Sequence, residues 1–337
     1  MQERNESLDV AKAGAIILVV AGHELQASTP DFDALFSFRL IYSFHMPLFM
    51  FISGLVGGHW LRRQYGVIDI RGVGHDLRTK AVRLLLPFLT WAIVGYLFRY
   101  GLVLSPLPAF AKQMLVSPDN GLWFLLVLFE LWLLVYVIVL LARPFRAPPL
   151  PYLAIAGLIV HFALRALPGS YGFGLAQVHF QFFYAGMLVT FAVGVQWRPI
   201  FTLLSGICFM VLVPFWQRVP PDPLFDGWPY THSLDAAYRE AVAFSGVVAS
   251  AGLLLAIGRR LRGRTLQAVT FVGKRTLDIY AAHFYFLGIM PPVIGPLAAS
   301  LILSQIVRLS APLTLIFYGE WTRSRKSQSN VAIAPGA

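Results

Sequence analysis

The chain has 337 residues, 57% of them apolar or aromatic and 13% charged, with 27 Phe, 13 Tyr and 8 Trp, and a mean hydropathy of +0.67. A soluble domain carries about 45–50% apolar and about 25% charged residues, so a soluble two-domain enzyme and a disordered chain are both excluded. The formal charge of +11 is divided among short Lys/Arg clusters between apolar runs, the positive-inside pattern of a membrane protein and not the basic face of a nucleic-acid binder. The single cysteine, Cys208, lies inside an apolar run, which leaves no intramolecular disulfide and no cysteine metal cluster.

A spanning helix needs about 20 mostly apolar residues. Ten segments qualify: 8–25, 38–58, 81–104, 121–141, 149–167, 175–195, 199–217, 237–258, 276–292 and 295–318. Residues before the first span carry Glu3, Glu6 and Asp9 against Arg4 and Lys12, and the run Ala13 to Ala21 ends at Gly22-His23-Glu24 without a small-x-small cleavage site. The first segment therefore reads as a retained helix and not a signal peptide. Of the 27 Lys and Arg, 19 fall on one set of alternate loops and six on the other, which places both termini in the cytoplasm. The expected fold is an all-α polytopic bundle of about ten transmembrane helices. It forms one domain over 1–320, followed by a short, disordered cytoplasmic tail over 321–337.

Ionisable residues inside a bilayer are costly and mark functional sites. The first span offers Asp9, Lys12, His23 and Glu24. Lys12 and His23 are eleven residues apart, which returns to nearly the same helix face about 16 Å further on. The alternative is that Lys12 snorkels to the cytoplasmic interface and His23 caps the outer end. In the second span, Ser43-Phe44-His45-Met46-Pro47 puts His45 at a depth similar to His23, and Pro47 should disturb the helix below it. Lys80 and Arg83 share a face where the third span begins. They read either as a positive-inside anchor or as a phosphate clamp aided by the N–H groups of the helix N-terminus. Arg62, Arg63 and Arg71 add to the same field.

Glu130 lies mid-span in the fourth segment, behind Trp123, and Asp278 and His283 flank Tyr280 in the ninth. His161 and His179 lack such context and read as structural. There is no His-Glu-x-x-His, P-loop or G-x-G-x-x-G, so no metal site, NTPase or dinucleotide reading is supported.

Taken together these residues resemble the acyltransferase family 3, integral-membrane O-acyltransferases that modify bacterial surface glycans, with the fucose-acetylase-like branch the nearest match. The likeness is carried by Leu8-Asp9-Val10-Ala11-Lys12 through Gly22-His23, by Ser43-Phe44-His45-Met46-Pro47-Leu48-Phe49, and by the Lys80/Arg83 pair. Leu122-Trp123-Phe124-Leu125 and Ile279-Tyr280-Ala281-Ala282-His283 resemble the family's looser signatures. Two basic positions that are more often arginine in the family are lysine here, Lys12 and Lys80, which keep the charge and lose bidentate geometry.

The resemblance implies a multi-pass protein of the bacterial inner membrane with no permanently bound cofactor. Acyl-CoA, acetyl being the family's common choice, would be co-substrate, and a glycan or lipid-linked sugar would be acceptor. His23 and His45 would be catalytic, His23 as general base. Lys12, Lys80 and Arg83 would hold acyl-CoA, with Asp9, Glu24, Trp123, Glu130 and His283 supporting or on the acceptor side. The competing class is a transporter of a glycan precursor or small solute, because buried charges and broken helices also line transport paths. Against it stand the lack of an inverted repeat and the gathering of polar residues at two ends of one tunnel.

Overall fold

The computed structural model describes residues 5–65, 69–117, 121–142, 150–167, 169, 171–193, 199–218 and 223–310. The expected tail 321–337 and the end of the last expected span lie outside them. The described residues form helices joined by turns, with no strand. In chain order these are α1 (Glu6–Ser28), α2 (Phe36–Tyr42), α3 (His45–Gln64), α4 (Ile70–Tyr100), α5 (Leu107–Val116), α6 (Trp123–Ala142) and α7 (Leu150–Leu164). There follow α8 (Phe173–Val193), α9 (Pro199–Leu212), α10 (Thr231–Arg260), α11 (Gly263–Gly273), α12 (Thr276–Ala282) and α13 (Ile294–Ser310). Among the described residues, five segments are long and apolar enough to cross a membrane: Phe36–Gln64, Ile70–Tyr100, Trp123–Leu141, Phe173–Ala192 and Thr231–Arg260.

Helix α1 starts where the side chain of Asn5 accepts the amide of Leu8 at 3.4 Å, and Glu6 and Asp9 in the first turn complement the helix dipole. Three boundaries differ from those the sequence suggests. The second span is not one helix: the chain breaks at Phe44 (φ −141°, ψ −7°) and α3 restarts at His45. The kink expected below His45 is thus a break above it, and Pro47 is the third residue of α3, where its missing N–H has no intrahelical acceptor to lose.

The third helix begins at Ile70, not residue 81, because Asp69 caps it by accepting the amide of Gly72 at 2.7 Å. Lys80 and Arg83 consequently lie about 15 Å or more inside α4, and its N-terminal amides do not reach an anion held by them. The ninth segment, expected over 276–292, is the seven-residue α12 followed by a 3-10 turn, His283–Tyr285, and further turns.

The bundle centres on α3. Its small-residue face meets α8 backbone to backbone: a Cβ added at Gly54 would lie 1.9 Å from the carbonyl oxygen of Phe183, and one at Gly186 2.2 Å from that of Phe51. Such approach is how membrane helices associate where lipid removes the hydrophobic drive between them. Helix α1 packs against α3, α10, α11 and α12, and α4 against α6. Outward, Leu89, Ile93 and Leu97 of α4, Leu133, Val137 and Leu141 of α6, and Ile155, Ile159 and Phe162 of α7 are exposed. Apolar stripes this extensive would be an aggregation liability in water and suit contact with lipid.

Candidate active site

Three histidines distant in sequence meet in one cluster. His23 comes from the last turns of α1, His45 is the first residue of α3, and His283 opens the 3-10 turn after α12. His23 Nδ1 lies 2.9 Å from His283 Nε2, and the His23 and His45 ring centres are 5.7 Å apart at 88°. His45 and His283 are 1% and 0% exposed, whereas His23 is only half-buried. Each buried ring sits at a helix end or break, with backbone carbonyls in front of its Nδ1. His45 Nδ1 faces the carbonyl of Ile41 at 3.3 Å, and His283 Nδ1 faces those of Tyr280 at 2.8 Å and Ile279 at 3.2 Å. A carbonyl only accepts, so both Nδ1 atoms carry protons and both Nε2 atoms present lone pairs. For His45 that lone pair is buried and, among the described residues, without a partner. His45 can therefore accept a hydroxyl proton bond but, as a neutral ring, cannot polarise a thioester carbonyl with Nε2. Nor do the trio's nitrogens converge on a common ion: two of them face each other at hydrogen-bond distance.

The cluster is walled by rings. Phe284 lies 4.6 Å from His23 and 4.1 Å from His283, and Tyr42 lies 4.6 Å from His45. Tyr42 donates to Gln26 Oε1 at 2.9 Å, and the Arg218 guanidinium stands 5.1 Å from its ring centre. Arg218 also donates its amide to Asp33 Oδ1, and Arg39 donates to the carbonyls of Asp33 and Pro214. These bonds tie α2 and the segment before it to the stretch that follows α9. His179, read from sequence as structural, is buried and stacked on Trp123 at 5.3 Å and 16°.

A second group gathers along the first half of α4. Lys80 Nζ sits 3.9 Å over the ring of Trp132. Trp132 meets Trp60 edge to face at 5.3 Å, and Tyr136 donates to Asp76 Oδ2 at 2.5 Å. The ammonium is thus aimed by a cation–π contact, while Arg83, one turn on, is exposed. His45 and Trp60 stand on the same helix, about 22 Å apart along its axis, so α3 links the two groups.

The other sequence candidates fall as follows. Lys12 is paired with Asp9 at 2.5 Å on α1, Asp9 being buried. Glu24 faces away from the trio: its carboxylate accepts the amide of Gly288 at 3.2 and 3.3 Å, at a glycine whose φ of +70° suits no bulkier residue well. Glu130 packs beside Gly172, where an added Cβ would lie 2.7 Å from its Oε1, and no contact joins it to the histidines. Sequence reasoning passed over Tyr42, His179, Arg218, Asp76, Trp60, Trp132 and Tyr136. Only the i, i+4 pairs Asp76/Lys80 and Trp132/Tyr136 left a local trace.

The fold is a helix bundle with lipid-suited apolar faces, and a family comparison says which kind. The family model described as an acyltransferase domain matches residues 5–319, and the chain belongs to the acyltransferase 3 family, enzymes that transfer acyl groups. Among curated proteins it is similar to the nodulation protein NolL of Mesorhizobium japonicum, 27% identical over 266 residues, covering 75% of this chain and 66% of that one. It is also similar to NolL of Sinorhizobium fredii, 38% identical over 139 residues, covering 38% of this chain and 36% of that one. The chain thus spans just under two thirds of the length of the first and about a third of the second. No solved structure matches it.

Proposed function

We propose that this protein is a membrane-embedded O-acyltransferase that moves an acyl group, acetyl first among them, from cytosolic acyl-CoA to a sugar hydroxyl of an envelope glycan or its lipid-linked precursor. The observation that carries the reading is the meeting of His23, His45 and His283 from three elements in one cluster, two of its rings buried. In this reading the domain over 1–320 spans the bacterial inner membrane ten times with both termini inside. The spans are α1, α2 with α3, α4, α6, α7, α8, α9, α10, α12 with its following turns, and α13. The 19-to-6 division of basic residues supports that orientation. It puts Lys80 and Arg83 towards the cytoplasm and the histidines towards the outer side.

Acyl-CoA docks with its phosphates on Lys80 and Arg83, Lys12 contributing charge shared with Asp9, and its arm runs along α3 to the histidines. The acceptor sugar comes from outside, a hydroxyl next to the reacting one donating to the His45 Nε2 lone pair, with Trp123 as a flanking ring, so that the reacting hydroxyl keeps its proton for His23. His23 removes the hydroxyl proton as the oxygen attacks the thioester carbon. The C–S bond then breaks, the acyl ester forms, and His23 returns the proton to the departing CoA sulfur. Glu24 holds the turn after His283, and Glu130 lies on the acceptor side.

Two measurements follow. In cells lacking the protein, mass spectrometry of envelope glycans shows the loss of one acyl mass, restored by wild type and not by His23→Ala. If no glycan changes in cells that normally make the protein, the envelope-glycan acceptor falls. Lys80→Ala and Arg83→Ala each raise KM for acetyl-CoA about tenfold, the loss of one charge-assisted phosphate contact, with kcat little changed. An unaltered KM in both would remove the phosphates from this end of the bundle.

A further inference from the structure

Building on the assignment of His23 as base, we propose that His283 is the positioning residue that fixes the His23 tautomer, holding its proton on Nδ1 so that Nε2 is the basic atom presented to the acceptor hydroxyl. His283 Nδ1 has two carbonyl oxygens in front of it, Tyr280 at 2.8 Å and Ile279 at 3.2 Å, and carries the proton. The ring is fully buried against Phe284 and Tyr280, where an unpaired charge is costly. The neutral ring leaves its Nε2 as a lone pair. An atom 2.9 Å from that lone pair must donate to it, and the atom there is His23 Nδ1.

The rings are inclined by only 17° with centres 5.2 Å apart. That separation is close to the 2.9 Å nitrogen contact plus two ring radii, so the rings meet edge to edge. An in-plane lone pair then points along the hydrogen bond.

In a Ser-His-Asp triad a carboxylate holds the catalytic imidazole in its working tautomer. Here a second imidazole, itself keyed by backbone carbonyls at the end of α12, does so without bringing a charge into the membrane. Exposure agrees with this division of labour: the ring that must reach substrate is half-buried, and the one that only orients it is sealed. The same logic keeps the trio from being interchangeable. His45, keyed by the carbonyl of Ile41, offers a second lone pair and has no equivalent partner on its other nitrogen.

The test compares His283→Asn with His283→Gln in inside-out membrane vesicles supplied with radiolabelled acetyl-CoA, normalised to the amount of full-length protein in the membrane. Asparagine can keep the contact to the Tyr280 carbonyl but is too short for His23. Glutamine can place its amide oxygen where Nε2 now sits and accept from His23 Nδ1–H. Asparagine is expected to lower kcat about 10²–10³-fold, within the range lost with a general base, with KM for acetyl-CoA unchanged, and glutamine to recover most of it. Equal activity in the two variants, whether low or high, overturns the proposal. His23→Ala in the same vesicles separates the two levels. If it retains incorporation, the base assignment itself fails; if it abolishes incorporation while glutamine is no better than asparagine, only the role of His283 fails.

Discussion

His23→Ala is expected to lower acyl transfer about 10²–10⁴-fold, the contribution of a positioned general base, with the protein still inserted in the membrane. Removing the ring gives up its contacts with Phe284, Tyr42 and His45 and leaves His283 Nε2 as one unpaired acceptor at about 1–3 kcal/mol, so the loss of rate is read per molecule of inserted protein. His45→Ala is expected to act differently. Its Nε2 holds the acceptor in this reading, so the loss falls on the KM for the sugar more than on the chemical step, since a contact made equally in ground and transition states affects binding. Initial rates from radiolabelled acetyl-CoA, measured at several densities of membrane acceptor, distinguish the two. A His45→Ala variant with the deeper loss of kcat would transfer the role of base to His45, whose Nδ1 is likewise fixed by a carbonyl.

The second large effect is structural. Gly54→Val is expected to prevent or severely weaken folding, because even the first added carbon would lie 1.9 Å from the carbonyl oxygen of Phe183 and 2.8 Å from its carbon. Backbone cannot rotate aside as a side chain does, so α3 and α8 must separate. Overpacking in a core costs about 1–3 kcal/mol, occasionally more, and an obstacle made of backbone belongs at the upper end. The consequence would reach function, since α3 carries both His45 and Trp60. Gly74→Ala in α4 is the matched control: nothing lies within 4 Å of the added carbon, and an alanine inside a helix is favoured over glycine by about 1 kcal/mol. Thermal stability in detergent, followed by size-exclusion chromatography after heating, should fall sharply for Gly54→Val and rise slightly for Gly74→Ala. Equal melting of Gly54→Val and wild type would mean that the α3–α8 contact is looser than described.

Composition determined the class of protein, and continuous apolar runs of about 20 residues its helical character. A chain that is 57% apolar and 13% charged cannot be covered by water, and inside a bilayer only helices or closed barrels satisfy the backbone. Local spacing was enough to single out His23, His45, Lys80 and Arg83 and to suggest the family, because an ionisable group in an apolar run stands out against its background. What local reading missed was where helices begin and which faces they turn to each other. The Asp69 cap extends α4 back through a segment too polar to look like a span, which moved Lys80 away from the helix N-terminus. Helices such as α6 and α8 are apolar on every side, so no stripe marks the face that packs, and the seat of Lys80 on Trp132 left no periodicity to read.

The pairing of His23 with His283 across 260 positions belongs to the same category. Each histidine was visible alone, but which nitrogen carries the proton depends on a carbonyl of Tyr280 freed where α12 ends. Only the packing of α1 against α12 brings that lone pair to the ring it orients.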